Sequence, residues 1–237
     1  MDTRHVGHAI VLNGASLAAE PSGALWWGDE GTLVVADLHL EKGSSFAQGG
    51  VMLPPYDTIA TLERLARSMR AELRRVICLG DSFHDRDGPL RLAAGDAARL
   101  AALTRSREWI WIAGNHDPDL PQAIGGRMVA DELRIGPLVF RHIAAARQER
   151  GEVSGHYHPK AGVTLRGRRF GGPCFLYDGA RLVLPAFGAF TGGLDAAAPE
   201  LRALFPGGAS AALIARGRII ALDLCGALPS ELPRPAE

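Results

Sequence analysis

A length of 237 residues, with 47% apolar and 22% charged side chains, suits one large α/β domain with a buried core and excludes a disordered chain. Lys and Arg total 26, as do Asp and Glu, so the formal net charge is zero. That balance does not suit a protein that coats nucleic acid through bulk electrostatics, and any phosphate binding is expected to be local.

In chain order, Thr32 to Ala36 is a short apolar run with β-branched residues that ends at Asp37, and it is read as a buried strand. Asp57 to Leu73 follows, with Ile59, Leu62, Leu65, Ala66 and Met69 at helical spacing behind Pro54 and Pro55, and with Asp57 as the expected cap. Arg75 to Leu79 is a second strand before Gly80. Pro89 to Leu103 reads as a second helix, and Trp109 to Ala113 as a third strand before Gly114. This alternation predicts parallel pairing with crossover helices.

After about residue 127 the texture changes to short strand-like runs broken by Gly, Pro and Asp, such as Leu133–Ile135 and Leu138–His142. Ala161 to Phe187 carries the turn Tyr177-Asp178-Gly179, and Ala211 to Leu224 reads as two strands around Arg216-Gly217. The expected fold class is therefore α/β, two packed mixed sheets flanked by helices over residues 1–228, with a mobile tail at 229–237. Exposed edges in the β-rich half offer a homodimer contact.

No run approaches the roughly 18 apolar residues of a membrane span, and Met1 to Leu12 lacks a leader's apolar stretch, so a cytoplasmic protein without a membrane partner is expected. Cys78, Cys174 and Cys225 show no CxxC spacing and are expected as buried free thiols.

Five short motifs carry the chemistry: Asp37-Leu38-His39, Gly80-Asp81, Gly114-Asn115-His116-Asp117, a lone His142, and Gly155-His156-Tyr157-His158. In extended backbone, residues i and i+2 point the same way, so Asp37 with His39, and His156 with His158, can each present a pair of ligands to one spot. The first three motifs end parallel strands, where open α/β sheets bind ligands. Carboxylates from Asp37 and Asp81, the Asn115 amide oxygen and imidazoles of His39, His142, His156 and His158 exceed what one ion needs. Two cations sharing a carboxylate, about 3.5–4 Å apart, fit better, and such pairs are a recurrent solution for phosphoryl hydrolysis. The oxygen and nitrogen set, without thiolate, suits manganese, iron or zinc.

The order DxH, GD, GNHD, H, GHxH, from about Asp37 to His158, resembles the calcineurin-like metallophosphoesterases. The resemblance implies a four-layer α/β/β/α sandwich. It further implies one metal on Asp37, His39, Asp81 and His158, and a second on Asn115, His142 and His156, with Asp81 bridging. A hydroxide between the metals would attack phosphorus in line, and His116 would stabilise or protonate the leaving oxygen. Many members carry an aspartate three residues after the motif-two Asp that orients this histidine. This chain has His84 there, leaving Asp85 and Asp117 as candidates.

A narrower likeness rests on Asp37 to Ser44, Leu53 to Thr58, Leu79 to Asp85, Ser154 to Lys160 and Leu184 to Gly188. These strings look like the ligase-associated DNA damage response endonucleases (PdeM type), bacterial enzymes associated with a DNA ligase and a helicase. That likeness implies a DNA endonuclease or phosphodiesterase of DNA repair. Two alternatives stay open: a phosphomonoesterase or small-molecule nucleotide phosphodiesterase, and a noncatalytic metal-binding scaffold for a ligase–helicase complex.

Each motif alone has a plainer reading as a turn, a tight loop or a surface strand, and the order of all five is what points to metal. His142 is assigned only by its position between the third and fifth motifs. For substrate phosphate the candidates are His84, Lys42, Arg166 and Arg168, with Arg169 beside them, because basic groups follow the first and last motifs. A solvated hairpin face explains the arginines equally well. Trp26-Trp27 could stack bases, although aromatics in a strand are more often core.

Overall fold

The protein is described here by a computed structural model covering residues 7–224. The expectations for Cys225 and the 229–237 tail fall outside the described residues. Strands β1 (His8–Leu12), β2 (Ala15–Ala19), β3 (Leu25–Trp27) and β4 (Thr32–Val35) form an antiparallel meander. Two crossovers then extend the sheet in parallel. Helices α1 (Lys42–Gln48) and α2 (Asp57–Ser68) lead to β5 (Arg75–Leu79), and α3 (Gly88–Arg91) and α4 (Ala94–Arg105) lead to β6 (Glu108–Ile112). Next comes β7 (Arg127–Val129), parallel to β6, which completes a seven-stranded sheet ordered β1 to β7.

The remaining chain builds the second sheet from β8 (Glu132–Ile135), β9 (Leu138–Arg141), β10 (Glu152–Ser154), β11 (Lys160–Leu165), β12 (Arg168–Tyr177), β13 (Arg181–Val183), β14 (Ser210–Ala215) and β15 (Arg218–Asp223). Its order is β15-β14-β12-β13-β10-β9-β8, with β11 attached to β12 as a hairpin. Helix α5 (Pro199–Leu204) packs on its outer face.

Period-two alternation explains the layering. In β5, Ile77 and Leu79 face the second sheet, while Val76 and Cys78 face the helices; in β6, Ile110 and Ile112 face inward, and Trp109 and Trp111 outward. The inward set meets Phe140, Val153, Phe175, Leu182 and Ala212, and the outward set meets Leu62 and Leu65 of α2 and Leu100 of α4. Each of these fully buried aliphatics is worth about 1.5–3 kcal/mol of transfer free energy. The result is helices, sheet, sheet and helix in four layers. Cys78 and Cys174 are buried free thiols.

Three local expectations need correction. The single helix over Pro89–Leu103 is two, because the chain straightens at Leu92 (ψ 124°) and Ala93 (ψ 144°). Arg91 reaches back to Asp85 (2.6 Å) and Ser44 (2.9 Å), which ties α3 to the motif-two loop before α4 turns onto the sheet. Asp57 does not cap α2; Tyr56 occupies that position, and Asp57 Oδ2 accepts the Gly43 N–H (3.0 Å). The helix stops at Ser68, short of Leu73. Trp26 and Trp27 are both buried, one in each core beside the first sheet, as the core reading expects.

One buried ion pair fixes the second sheet near the last motif. The Arg181 guanidinium, 1% exposed, donates to Glu152 Oε2 (3.0 Å), Ala145 O (2.7 Å) and Leu204 O (3.1 Å), while Glu152 Oε1 accepts the Ala145 N–H (2.9 Å). Replacing Arg181 by Ala leaves a buried carboxylate without its cation and is expected to cost about 3–5 kcal/mol. A urea denaturation midpoint within error of wild type would contradict this account of the pair.

Candidate metal centre

Strands β4, β5 and β6 each end at the same crevice, and motifs one to three follow them directly. The first two loops are zipped together beyond the strands. Asp37 N–H donates to Gly80 O (3.3 Å), His39 N–H to Asp81 O (2.9 Å), Leu40 N–H to Ser82 O (2.9 Å) and His84 N–H to Leu40 O (2.9 Å). From the second sheet, β9 delivers His142 and β10 delivers Gly155 to His158, joined by the Gly155 N–H to His142 O bond (3.0 Å).

Six donors then fall into two groups, Asp37 with His39 and His158, and Asp81 with His142 and His156, the ligand atoms of each lying within 4.8 Å of one another. In the first, His158 Nε2 is 3.4 Å from His39 Nε2 and 3.3 Å from Asp37 Oδ1. In the second, His142 Nε2 lies 3.2 Å from His156 Nδ1, 3.4 Å from Asp81 Oδ1 and 2.9 Å from Asn115 Oδ1. The seven residues singled out in the sequence thus lie together.

Their backbone differs from expectation. Asp37, His39, Asp81, His156 and His158 all have left-handed φ, between 43° and 71°, in place of extended geometry. His156 and His158 serve different groups and not one spot, whereas Asp37 and His39 share one. The two carboxylates are held alike: Asp37 Oδ2 accepts the His156 N–H, and Asp81 Oδ1 the His116 N–H, both at 2.9 Å. Close approach is possible because residues 80 and 114 are glycines. A Cβ at Gly114 would lie 2.2 Å from Asp81 N and Oδ1, and one at Gly80 2.5 Å from the His142 ring.

The electrostatics suit cations. Burial holds His39 neutral by lowering its pKa to about 4 against the pull of Asp37, and burial and the His142 charge lower His156. Burial would raise the Asp81 carboxyl, but the hydrogen bond and charge of His142 and the His116 N–H hold it at about 2. Asp37 Oδ1 is buried with no hydrogen-bond partner. An orphaned carboxylate oxygen and facing imidazole nitrogens are costly unless a cation lies among them, so the residues fit a pair of divalent ions. His142 Nδ1 bonds Leu79 O (2.8 Å), which leaves Nε2 as the ligand atom.

Neither Asp85 nor Asp117 orients His116. Its Nδ1 bonds the backbone carbonyl of His84 (2.8 Å), and its Nε2 faces Asp81 Oδ2 at 3.9 Å. Asp85 pairs with Arg91, while Asp117 lies buried beneath the motif-two loop, where its Oδ2 accepts the Phe83 N–H (3.0 Å). Burial and the Asp81 charge push the Asp117 pKa up to about 7. A backbone acceptor leaves no mark in the sequence, so this role was not legible there.

Of the residues expected to meet substrate, Lys42 and His84 reach the rim. Phe46, 37% exposed, has Lys42 Nζ 5.6 Å from its ring centroid and the His84 ring at 5.5 Å, and His84 stacks on His116 at 5.6 Å. Arg166 and Arg168 are not brought there. They sit at the tip of the β11–β12 hairpin, and β11 carries the chain about 20 Å from Lys160 to Arg166.

Imidazole–carboxylate groups gathered in this way at the strand ends of a two-sheet sandwich are the working parts of a metal-dependent phosphoesterase. Residues 32–170, more than half of the chain, match the family described as Calcineurin-like phosphoesterase, and the chain belongs to that family. Its members use a binuclear metal centre. Among solved structures the chain is similar to the crystal structure of Pseudomonas putida nuclease MPE, at 28% identity and a TM-score of 0.69, covering 91% of this chain and 100% of that one. No curated protein matches the sequence. Among the described residues no helix is long and apolar enough to cross a membrane.

Gly114→Ala is expected to displace Asp81, because the added Cβ meets backbone and carboxylate that cannot give way. The checks are metal content by plasma mass spectrometry and the melting temperature, both of which should fall. A variant that binds the full wild-type complement of metal would refute the close-approach account.

Proposed function

We propose that this phosphoesterase is a manganese-dependent phosphodiesterase that cleaves DNA during repair, working with a DNA ligase and a helicase. The observation that carries the reading is His116, whose Nε2 faces the carboxylate of Asp81, a member of the second donor group, at 3.9 Å. One cation would be held by Asp37, His39 and His158, the other by Asn115, His142 and His156, with Asp81 shared. Bound there, the cations supply Lewis acidity and an activated water at neutral pH. The nitrogen and oxygen donor set suits manganese, with iron or zinc as alternatives.

His116 keeps its Nδ1 proton on the His84 carbonyl in either charge state, so it exchanges protons only at Nε2. As imidazolium it can deliver that proton to the departing oxygen. Its own N–H grips Asp81, so the proton donor and the shared carboxylate move together. Lys42 offers a nearby cation for phosphate oxygens. Similarity to a nuclease supports a nucleic acid substrate. The zero net charge favours a second reading, a phosphodiesterase or phosphomonoesterase for a small nucleotide.

With manganese loaded, the protein should hydrolyse bis(p-nitrophenyl) phosphate and cleave DNA faster than it hydrolyses p-nitrophenyl phosphate. Asp81→Asn should abolish turnover. His116→Ala should retain both metals while kcat falls by about 10²–10⁴. Absence of diester turnover in protein of verified metal content would defeat the phosphodiesterase reading, and a preference for monoesters would move the assignment to the small-nucleotide alternative.

A further inference from the structure

Beside the second donor group lies a cleft of about 420 Å³ that the reaction as described does not use. It is lined by Asn115 and His142, and the His39, His84 and His116 rings, which pack against one another, take no part in its walls. Pro118, Ala130 and the exposed Ile143 give it apolar walls, and Asp131, Glu132 and Arg141 give it polar ones.

We propose that this cleft binds the retained ester substituent of a phosphodiester, and that the substituent is one nucleoside. The inference rests on the phosphodiesterase reading and deepens it. A phosphodiester carries two ester groups, of which only one leaves. The leaving oxygen belongs beside His116, so the other ester arm needs room elsewhere around the centre. The cleft supplies that room next to Asn115 and His142, and its volume falls among ordinary small-molecule pockets of about 300–1,000 Å³.

Charge narrows the occupant. Arg141 looks like a phosphate ligand, but its Nη2 is 2.6 Å from both Glu132 Oε2 and Glu149 Oε2, and Arg134 bonds the same two carboxylates at 2.8 and 2.7 Å. With Arg134 and Arg141 balanced by Glu132 and Glu149, the charge left over on the wall is that of Asp131, so the cleft disfavours a second phosphate and suits an uncharged group. A nucleobase meets both requirements. Its faces can lie on Ile143 and Pro118, and its N–H groups can donate to the carboxylates.

The test holds the leaving group constant. Thymidine 5′-(p-nitrophenyl phosphate) and methyl p-nitrophenyl phosphate both release p-nitrophenol and differ only in the retained arm. The manganese-loaded wild type should favour the thymidine ester in kcat/KM by at least about tenfold. Ala130→Trp, which fills the cleft from one wall, should bring the ratio close to one, and Ile143→Trp repeats the test from the other wall. Calorimetric titration with thymidine 5′-monophosphate gives a readout independent of turnover, and its affinity should fall in parallel. A wild-type ratio near one, or a tryptophan variant that melts normally and keeps both ratio and affinity, would overturn the proposal. If neither ester is hydrolysed, the phosphodiesterase reading fails by itself. The calorimetry then decides the cleft, since nucleotide binding unchanged by both tryptophans would exclude it.

Discussion

The Asp37 Oδ2 to His156 N–H hydrogen bond joins the first sheet to the second at the centre, and the site exists only while the two sheets hold that alignment. Each donor group draws on both sheets. Asp37 and His39 follow β4 but need His158 from beyond β10; Asp81 follows β5 but needs His142 and His156. Nothing local in any one loop makes a site. The apolar layer between the sheets, from Ile77 and Ile110 to Phe140 and Val153, therefore also sets the distances between donors. A slip of one residue in β10 would turn its side chains over and remove two imidazoles at once.

The close grouping of donors has a cost in backbone strain. Five of the ten non-glycine residues with left-handed φ among the described residues belong to the two donor groups. Each such residue costs on the order of 1–2 kcal/mol, and such strain persists only where surrounding contacts over-determine it. Here the contacts are identifiable: the zipped backbones of the first two motifs and the paired N–H to carboxylate bonds. Of the two stretches that alternate left-handed and ordinary residues, Asp37 and His39 turn their side chains to one group, and His156 and His158 turn theirs to two. Extended backbone would have sent both the same way.

That difference marks the limit of what the sequence made legible. Strand β5 matches its expected bounds, β4 ends one residue early and β6 is shifted back by one residue, because a run buried on both faces is apolar throughout and stops abruptly at Asp, Gly-Asp or Gly-Asn. The seven donors were legible because imidazole and carboxylate at fixed offsets after such strands have few other uses. Long-range partners were not. Asp57 answers to Gly43, Arg91 to Asp85 and Ser44, and His116 to a carbonyl, and each choice depends on loops that meet only in the folded chain. The walls of the cleft, Ala130 and Ile143, carry no chemical signature at all.

The zero net charge and the site's chemistry agree once local charges are followed. Arg91, Arg134 and Arg141 are each committed to carboxylates, so the surface near the centre offers few free cations. Lys42 is different. Burial lowers its pKa, Asp57 raises it, and Lys160 lowers it further, so the ammonium is already partly desolvated and repelled by a like charge. An anion held near Lys42 would relieve that repulsion. Under the proposed function, affinity would come from one phosphate and its immediate substituents, with little from the length of a polyanion, which agrees with a net charge of zero.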